Sequence, residues 1–295
     1  MSWSIKLENI QNIKDENIID LSSLKDIELE ILKTFAEFCD SNNLNYVLAG
    51  GTLLGAIRHQ GFIPWDDDID VLMPRPDYIK FLELTKGHMD IYTVRSIETH
   101  PKLHTRPFAR VVDDRYITEL KTLPLYLPPW IDIFPMDGLP SDNQECKKYF
   151  RKAYRYKWII RRSWPPYNWK RKKLKTFGKM ILFSPLRAIG HHFFLNKLQN
   201  FGMQMDYVSC EYVGCVVAGG HGIREKVLRS SFDERIKVKF EGYDFWAPQG
   251  YDFYLQNLYG KNYLALPGLK ARAIHVINCW KIEGNVSDKN KEDHA

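Results

Sequence analysis

Four aspartates fall within five positions, Asp66, Asp67, Asp68 and Asp70, in the run Pro64-Trp65-Asp66-Asp67-Asp68-Ile69-Asp70-Val71-Leu72-Met73. The apolar residues that follow read as a strand, whose side chains alternate between faces. Asp68 and Asp70 then point one way, joined by Asp66 if the strand reaches back that far, and Asp67 points the other. Same-face carboxylates start roughly 7 Å apart at the backbone; unpaired, they repel each other and call for a cation. Their side chains can converge on one or two divalent ions, which two-metal sites hold about 3.5–4 Å apart. Carboxylate and phosphate oxygens are hard ligands that suit Mg²⁺ or Mn²⁺, and Mg²⁺ is usually bound by one or two carboxylates plus substrate phosphates. The pattern points to phosphoryl chemistry. A calcium-binding or merely solvated acidic turn is the competing reading, but the flanking apolar residues favour a built strand and no EF-hand spacing is present.

Such a wall needs elements to position it. Asn45-Tyr46-Val47-Leu48-Ala49 reads as a short strand ended by Gly50-Gly51, and Thr52 to Arg58 as the start of a helix. Glycines let the backbone approach an anion, and free N–H groups at a helix start favour negative charge, so Gly50, Gly51 and Thr52 are expected to meet a phosphate. Ahead of this strand, Leu24, Ile27, Ile31, Phe35 and Phe38 recur at helical spacing behind Ser22-Ser23, an expected N-cap. Behind the acidic strand, Pro74-Arg75-Pro76-Asp77 opens another helix, with Tyr78, Phe81, Leu82 and Leu84 as apolar contacts.

The stretch from Gly50 to Tyr78 resembles the signature of the LicD family, bacterial phosphocholine transferases and relatives that include fukutin-related protein. The resemblance implies a fold like that of DNA polymerase beta: an α+β nucleotidyltransferase-like mixed sheet with flanking helices. It also implies transfer of phosphocholine from CDP-choline to a sugar hydroxyl of teichoic acid or lipopolysaccharide precursors, with release of CMP. Carried over residue by residue, the glycine pair is Gly50-Gly51 and the acidic metal motif is Asp66, Asp68 and Asp70. Trp130-Ile131-Asp132-Ile133-Phe134-Pro135-Met136-Asp137-Gly138 resembles the family's second motif, which makes Asp132 a further ligand. Its apolar neighbours imply a buried strand, where an aspartate must be paired or metal-bound; a pairing with Arg110 or with backbone N–H groups is the alternative. Asp137, before Gly138, is read as a turn residue. Later family patterns, Phe240 to Pro248 and Tyr251 to Gly260, extend the likeness over most of residues 24–275. They read as a hairpin turning at Glu241-Gly242-Tyr243 and a short aromatic helix.

The implied chemistry assigns Asp68, Asp70 and Asp132 to catalysis and, with Asp66, to holding Mg²⁺ or Mn²⁺ against the donor diphosphate. Arg58 is expected to add a charge-assisted contact or to be a surface residue, and His59 to be structural. Choline needs an aromatic face, worth about 0.5–2 kcal/mol per contact, for which Trp65, Trp130 and Tyr251 are candidates; Trp65 alternatively wedges the acidic strand. Transfer of another phospho-alcohol from a CDP donor, or nucleotidylyl transfer, stays open within the same chemistry. A non-catalytic membrane or polyanion binder is the reading from a different class.

The chain of 295 residues can bury a sizeable core. Its five cysteines are odd in number and scattered, so no disulfide framework is implied, and Cys210, Cys215 and His221 match no common zinc spacing. The amino terminus lacks a basic start followed by an apolar run, so no signal peptide is read and a cytoplasmic location is expected. From Cys146 to Met205 there is no Asp or Glu but sixteen Lys or Arg, interleaved with aromatics such as Tyr149, Tyr154, Trp158, Trp164 and Trp169. Such a stretch suits an anionic membrane surface, here the inner face of the cytoplasmic membrane, where each base contributes about 1 kcal/mol. Pro185, Arg187 and two histidines leave Lys179–Leu195 too short and polar to span a bilayer. Solvated helices and nucleic-acid binding are the rival readings; no nucleic-acid motif accompanies the bases, so a nucleic-acid partner is not expected. The expected division is a catalytic core over 1–145, a basic helical insertion over 146–205, a part completing the catalytic domain over 206–283, and a polar tail over 284–295.

Overall fold

The apolar run Trp130–Leu139 forms a ten-residue strand around which the fold is organised. The computed structural model describes residues 18–101, 104–121, 126–163, 182–268 and 276–282. In chain order the strands are β1 (Ile18–Ile19), β2 (Val47–Leu48), β3 (Ile69–Pro74), β4 (His88–Met89), β5 (Tyr92–Arg95), β6 (Ala109–Val112), β7 (Tyr116–Leu120), β8 (Tyr126–Leu127) and β9 (Trp130–Leu139). There follow β10 (Tyr212–Gly214), β11 (Val227–Leu228), β12 (Arg235–Phe240), β13 (Tyr243–Pro248) and β14 (Val276–Lys281). On one edge β9 runs parallel to β3, which carries β2 antiparallel. On its other edge β9 is long enough for two neighbours: its first half pairs with β6, followed by β5 and β4, and its last residues pair with β10 and then β11. A second sheet runs β1-β14-β7-β8, and β12-β13 is a separate hairpin. The architecture is the expected α+β class.

Helices cover this frame. Leu21–Ser41 buries Leu24, Ile31, Leu32, Phe35 and Cys39 on one stripe, and Phe35 meets Tyr46 and Phe81 edge-on at 5.1 and 5.4 Å. Its N-cap is Asp20, which accepts the Ser23 N–H at 2.7 Å, and not the expected Ser22-Ser23: a carboxylate two residues upstream reaches the same orphan donor. The helix Arg75–Thr85 starts where expected and buries Tyr78, Phe81 and Leu82, but Leu84 falls on its solvent side. The hairpin turns at Glu241-Gly242, both with positive φ (48° and 81°), as a two-residue loop between twisted strands requires. Tyr251–Tyr259 is the short aromatic helix.

Two expectations change. Asp137 is not a turn residue: it lies on β9, fully buried, and accepts Arg75 Nε at 2.6 Å and Nη2 at 2.9 Å. A buried bidentate pair of this kind satisfies both charges. The basic stretch is helical where described, as expected, but several of its aromatics are core. Helix Asn143–Ser163 packs on His191–Gly202, and Phe150, Ile160, Leu195, Leu198 and Phe201 form a second core that reaches Leu139 and Val217 of the frame. Tyr149 stacks on Phe201 at 4.3 Å, whereas Tyr154 and Trp158 stay exposed beside Arg151, Lys152 and Arg155. Trp164, Tyr167 and Trp169 lie outside the described residues. No helix among the described residues is long and apolar enough to cross a membrane.

Candidate active site

The parallel register of β3 and β9 sets Asp70 directly beside Asp132. Neighbouring strands lie about 4.8 Å apart and partners in one row share a face, so two carboxylates stand side by side, Asp132 buried and Asp70 partly so. The row continues: Asp132 pairs with Arg110 on β6, and Arg110 with Arg95 on β5, giving two negative positions followed by two positive ones. Arg110 donates from Nε at 2.5 Å and Nη2 at 3.2 Å to the two oxygens of Asp132, and its guanidinium lies 4.3 Å from the Trp130 ring centroid. Asp132 is thus both beside the acidic strand and in the ion pair anticipated as its alternative role. Each carboxylate oxygen has a second lone pair, so the pair orients Asp132 and leaves it ligand capacity.

Asp70 is held from below by its own main chain. Its N–H donates to the buried Thr52 hydroxyl at 2.8 Å and its carbonyl accepts the Ala49 N–H at 3.0 Å, tying the acidic strand to the start of helix Gly50–His59. Thr52, expected to meet substrate, is therefore a positioning residue for Asp70. The glycines too have an unexpected neighbour. A Cβ on Gly51 would sit 2.6 Å from Asp66 Oδ2, and one on Gly50 (φ +49°) would sit 3.3 Å from Asp70 Oδ2. The anions that crowd this turn are the chain's own carboxylates. Upstream, Lys25 donates to the carbonyls of Ile63 and Pro64 at 3.3 and 3.2 Å, and Glu241 accepts the Phe62 N–H at 2.9 Å, which fixes the bend leading into Asp66. Strand alternation does not reach Asp67, since β3 begins only at Ile69; it is buried and accepts the Val276 N–H of β14 at 2.6 Å.

Glu28, which sequence reasoning passed over, completes the cluster. It is 1 % exposed, its Oε2 has no hydrogen-bond partner, and burial followed by the charges of Asp68, Asp67, Asp132 and Asp66 pushes its carboxyl well above the usual range. The signal was present: Glu28 falls on the apolar stripe between Leu24 and Ile31, where a carboxylate has no reason to be unless something polar faces it. Asp70 is raised likewise, by burial and then by Asp68, Asp132 and Asp66. Among the described residues no three His, Cys, Asp or Glu side chains form a ready-made metal cluster. An all-oxygen donor set with an orphaned buried carboxylate oxygen and mutually repelling charges nevertheless fits a hard divalent cation.

This geometry has a relative of known name. The lipopolysaccharide cholinephosphotransferase LicD of Haemophilus influenzae is 34% identical over 249 residues, 81% of this chain and 89% of that protein. The chain belongs to the LicD family. The family model described as "LicD/FKTN/FKRP, nucleotidyltransferase domain" matches residues 43–164, which span the acidic strand, β9 and helix Asn143–Ser163. Uncharacterized proteins of Rickettsia typhi and Rickettsia prowazekii are 44% and 42% identical over 55 residues, 19% of this chain and 18% and 21% of theirs.

Other sequence-predicted residues of this LicD family member lie at or beyond the rim. Arg58 donates to the carbonyls of Tyr263 and Ala265 at 3.1 and 3.2 Å and from Nε to His59 at 2.9 Å, so it clamps the loop after helix Tyr251–Tyr259. His59 accepts that bond at Nε2, and burial and the Arg58 charge lower its affinity for a proton. Trp65 packs on the main core with its ring 6.5 Å from that of His59. Trp130 is buried with its face taken by Arg110, and Tyr251 is half-buried against the core. What does open beside Asp70 and Gly50 is a cavity of about 210 Å³. Another, about 120 Å³, lies under β2 and holds none of the expected ligands.

Proposed function

We propose that this wall transfers phosphocholine from CDP-choline to a sugar hydroxyl of a lipid-linked glycan precursor, releasing CMP. The chain is a transferase of the phosphocholine class, and the cholinephosphotransferase named among its relatives supports lipopolysaccharide as the acceptor type. The observation that carries the chemistry is the row of Asp70 beside Asp132, with Asp66 and Asp68 in the bend that leads into β3. Asp66, Asp68, Asp70 and Asp132 would hold Mg²⁺, or Mn²⁺ in its place, and the ion would supply neutralisation of the charge on the donor diphosphate. The remaining work belongs to the chain. Thr52 and Ala49 fix the backbone of Asp70, Arg110 holds Asp132 in plane, and Lys25 sets the bend before Asp66. The acceptor oxygen attacks the phosphorus bearing choline, its proton passes to a carboxylate of the wall, and the bond to the CMP oxygen breaks with its electron pair leaving on CMP.

The exposed bases and aromatics of helix Asn143–Ser163 support a second part of the proposal, peripheral binding to an anionic membrane that would hold such an acceptor. The test of the reaction is Asp68→Asn, which removes one charge at constant shape. CMP release from CDP-choline with Mg²⁺ is expected to be lost while the circular dichroism spectrum is kept, and following both halves of a labelled donor shows which one reaches the glycan. Undiminished turnover in the variant would remove the metal assignment, and CMP found on the acceptor would replace phosphocholine transfer by nucleotidylyl transfer.

A further inference from the structure

The cavity beside Asp70 has a composition that the acidic wall does not explain. Its sides are rings, Phe134 from β9 and Tyr254 and Tyr259 from the aromatic helix, with His221 packed against Tyr259 at 6.1 Å between centroids. Tyr254 reaches the Gly50 backbone with its hydroxyl, and the Tyr259 hydroxyl lies near the same glycine. In a chain with net charge +6, no Lys or Arg among the described residues lines this space, the nearby Lys157 being engaged with the Gly219 carbonyl at 2.6 Å, while Asp70 and the buried Glu225 both line it. His221 adds no charge near neutral pH, since burial and Arg224 lower its affinity for a proton. A cavity walled by rings, with two carboxyl groups and no cationic side chain among its described lining residues, is matched to a cationic ligand. Apolar cavities of about 150 Å³ accept benzene, so about 210 Å³ has room for a compact head group.

The kind of cation follows from the hydrogen bonds. Glu225 already accepts main-chain N–H groups of the loop around it, His221 at 3.1 Å among them, so part of its acceptor capacity is used. A primary ammonium entering here would leave N–H donors short of partners, which is costly in a buried site. A quaternary ammonium has no donors to satisfy and needs only ring faces and diffuse negative charge. We infer that the cavity walled by Phe134, Tyr254 and Tyr259, with Glu225 at its base, is the subsite for the trimethylammonium of the donor. This rests on the phosphocholine reading above, and it places the head group beside Asp70 and Gly50. The expected rings Trp65, Trp130 and Tyr251 give way to three that lie elsewhere in sequence.

The experiment is calorimetric titration of the full chain, with Mg²⁺ present, by phosphocholine, phosphoethanolamine and CMP. Wild-type protein is expected to bind phosphocholine more tightly than phosphoethanolamine. Phe134→Leu and Tyr259→Leu, which remove ring faces at similar bulk, are expected to weaken phosphocholine roughly three- to thirty-fold and to leave CMP unchanged. Tyr259→Phe, which keeps the face, is expected to retain affinity, and thermal melts confirm that each variant is folded. Equal loss for phosphocholine and CMP, or no loss for either, would overturn the subsite. CMP release from CDP-choline by wild type is read separately. If release occurs without ring-dependent selectivity, the subsite falls and the reaction stands; if selectivity is seen without release, the subsite stands and the reaction falls.

Discussion

Replacing Gly51 by alanine separates the fold from the chemistry. The added methyl would lie 2.6 Å from Asp66 Oδ2, whereas ordinary contact begins at 3.4 Å, so the carboxylate has to retreat by about 0.8 Å. The obstructing atom is the end of a rotatable side chain, so it moves cheaply. Gly51 itself has an ordinary helical φ near the start of helix Gly50–His59, and alanine there is expected to gain about 0.5–1 kcal/mol over glycine. Activity should respond in the opposite sense. A misplacement of about 1 Å at a reacting centre is worth about 100-fold, so CMP release is expected to drop roughly 10- to 100-fold, with a higher Mg²⁺ requirement. The assay is kcat/KM from CDP-choline across Mg²⁺ concentrations, with urea unfolding on the same samples. Gly50→Ala is the contrast: at φ +49° an alanine is strained by about 1 kcal/mol, so stability should fall along with activity. Full activity in Gly51→Ala would show that the position of Asp66 does not matter to the reaction, and the ligand assignment would fail with it.

Three further outcomes are expected. Arg110→Met leaves Asp132 buried without its partner and should destabilise the protein by about 3–5 kcal/mol; Asp132→Asn added to it should recover part of that, measured as a double-mutant cycle by urea unfolding. Glu225 titrates near 7 in the folded protein, against an ordinary 4.5, because it is buried. Between those values the folded state holds a proton that the unfolded chain has released, so stability falls as pH rises through this window, and Glu225→Gln should gain on wild type by about 3 kcal/mol from pH 4.5 to 7.5. Parallel urea midpoints for the two proteins over that range would contradict it. Cosedimentation with phosphatidylserine vesicles is expected at low salt and should weaken as ionic strength rises; equal binding to neutral vesicles would exclude an electrostatic attachment.

What the sequence disclosed depended on how local the physics was. The apolar run behind the aspartates reads as a strand from its own pattern, and the structure has it from Ile69, with Asp70 in its register and Asp67 ahead of it, bonded to Val276. The hairpin at Glu241-Gly242 and the helix behind Pro74 are equally local. The errors concern partners far along the chain. Asp137 looks like a turn residue beside Gly138 until Arg75, 62 residues earlier, is seen to grip it. Tyr149 and Phe150 sit among bases exactly as Tyr154 and Trp158 do, and only the packing of His191–Gly202 decides which of them face protein and which face solvent. The glycine pair was legible as a site of close approach, but not that Asp66 and Asp70 are what approaches.

The bond from Asp67 to Val276 bears on when the site comes into being. It joins residues 209 positions apart, and β14, which supplies the donor, is also the strand that links β1 to β7. A chain emerging from the ribosome can form β3, and later β9 beside it, yet the acidic bend lacks this tether until Val276 has been made. Closing so distant a contact is slow and comes late. Four repelling carboxylates therefore reach their final arrangement only after residue 276 has been made, and a polypeptide cut short before it would carry every carboxylate of the wall without the strand that sets its back.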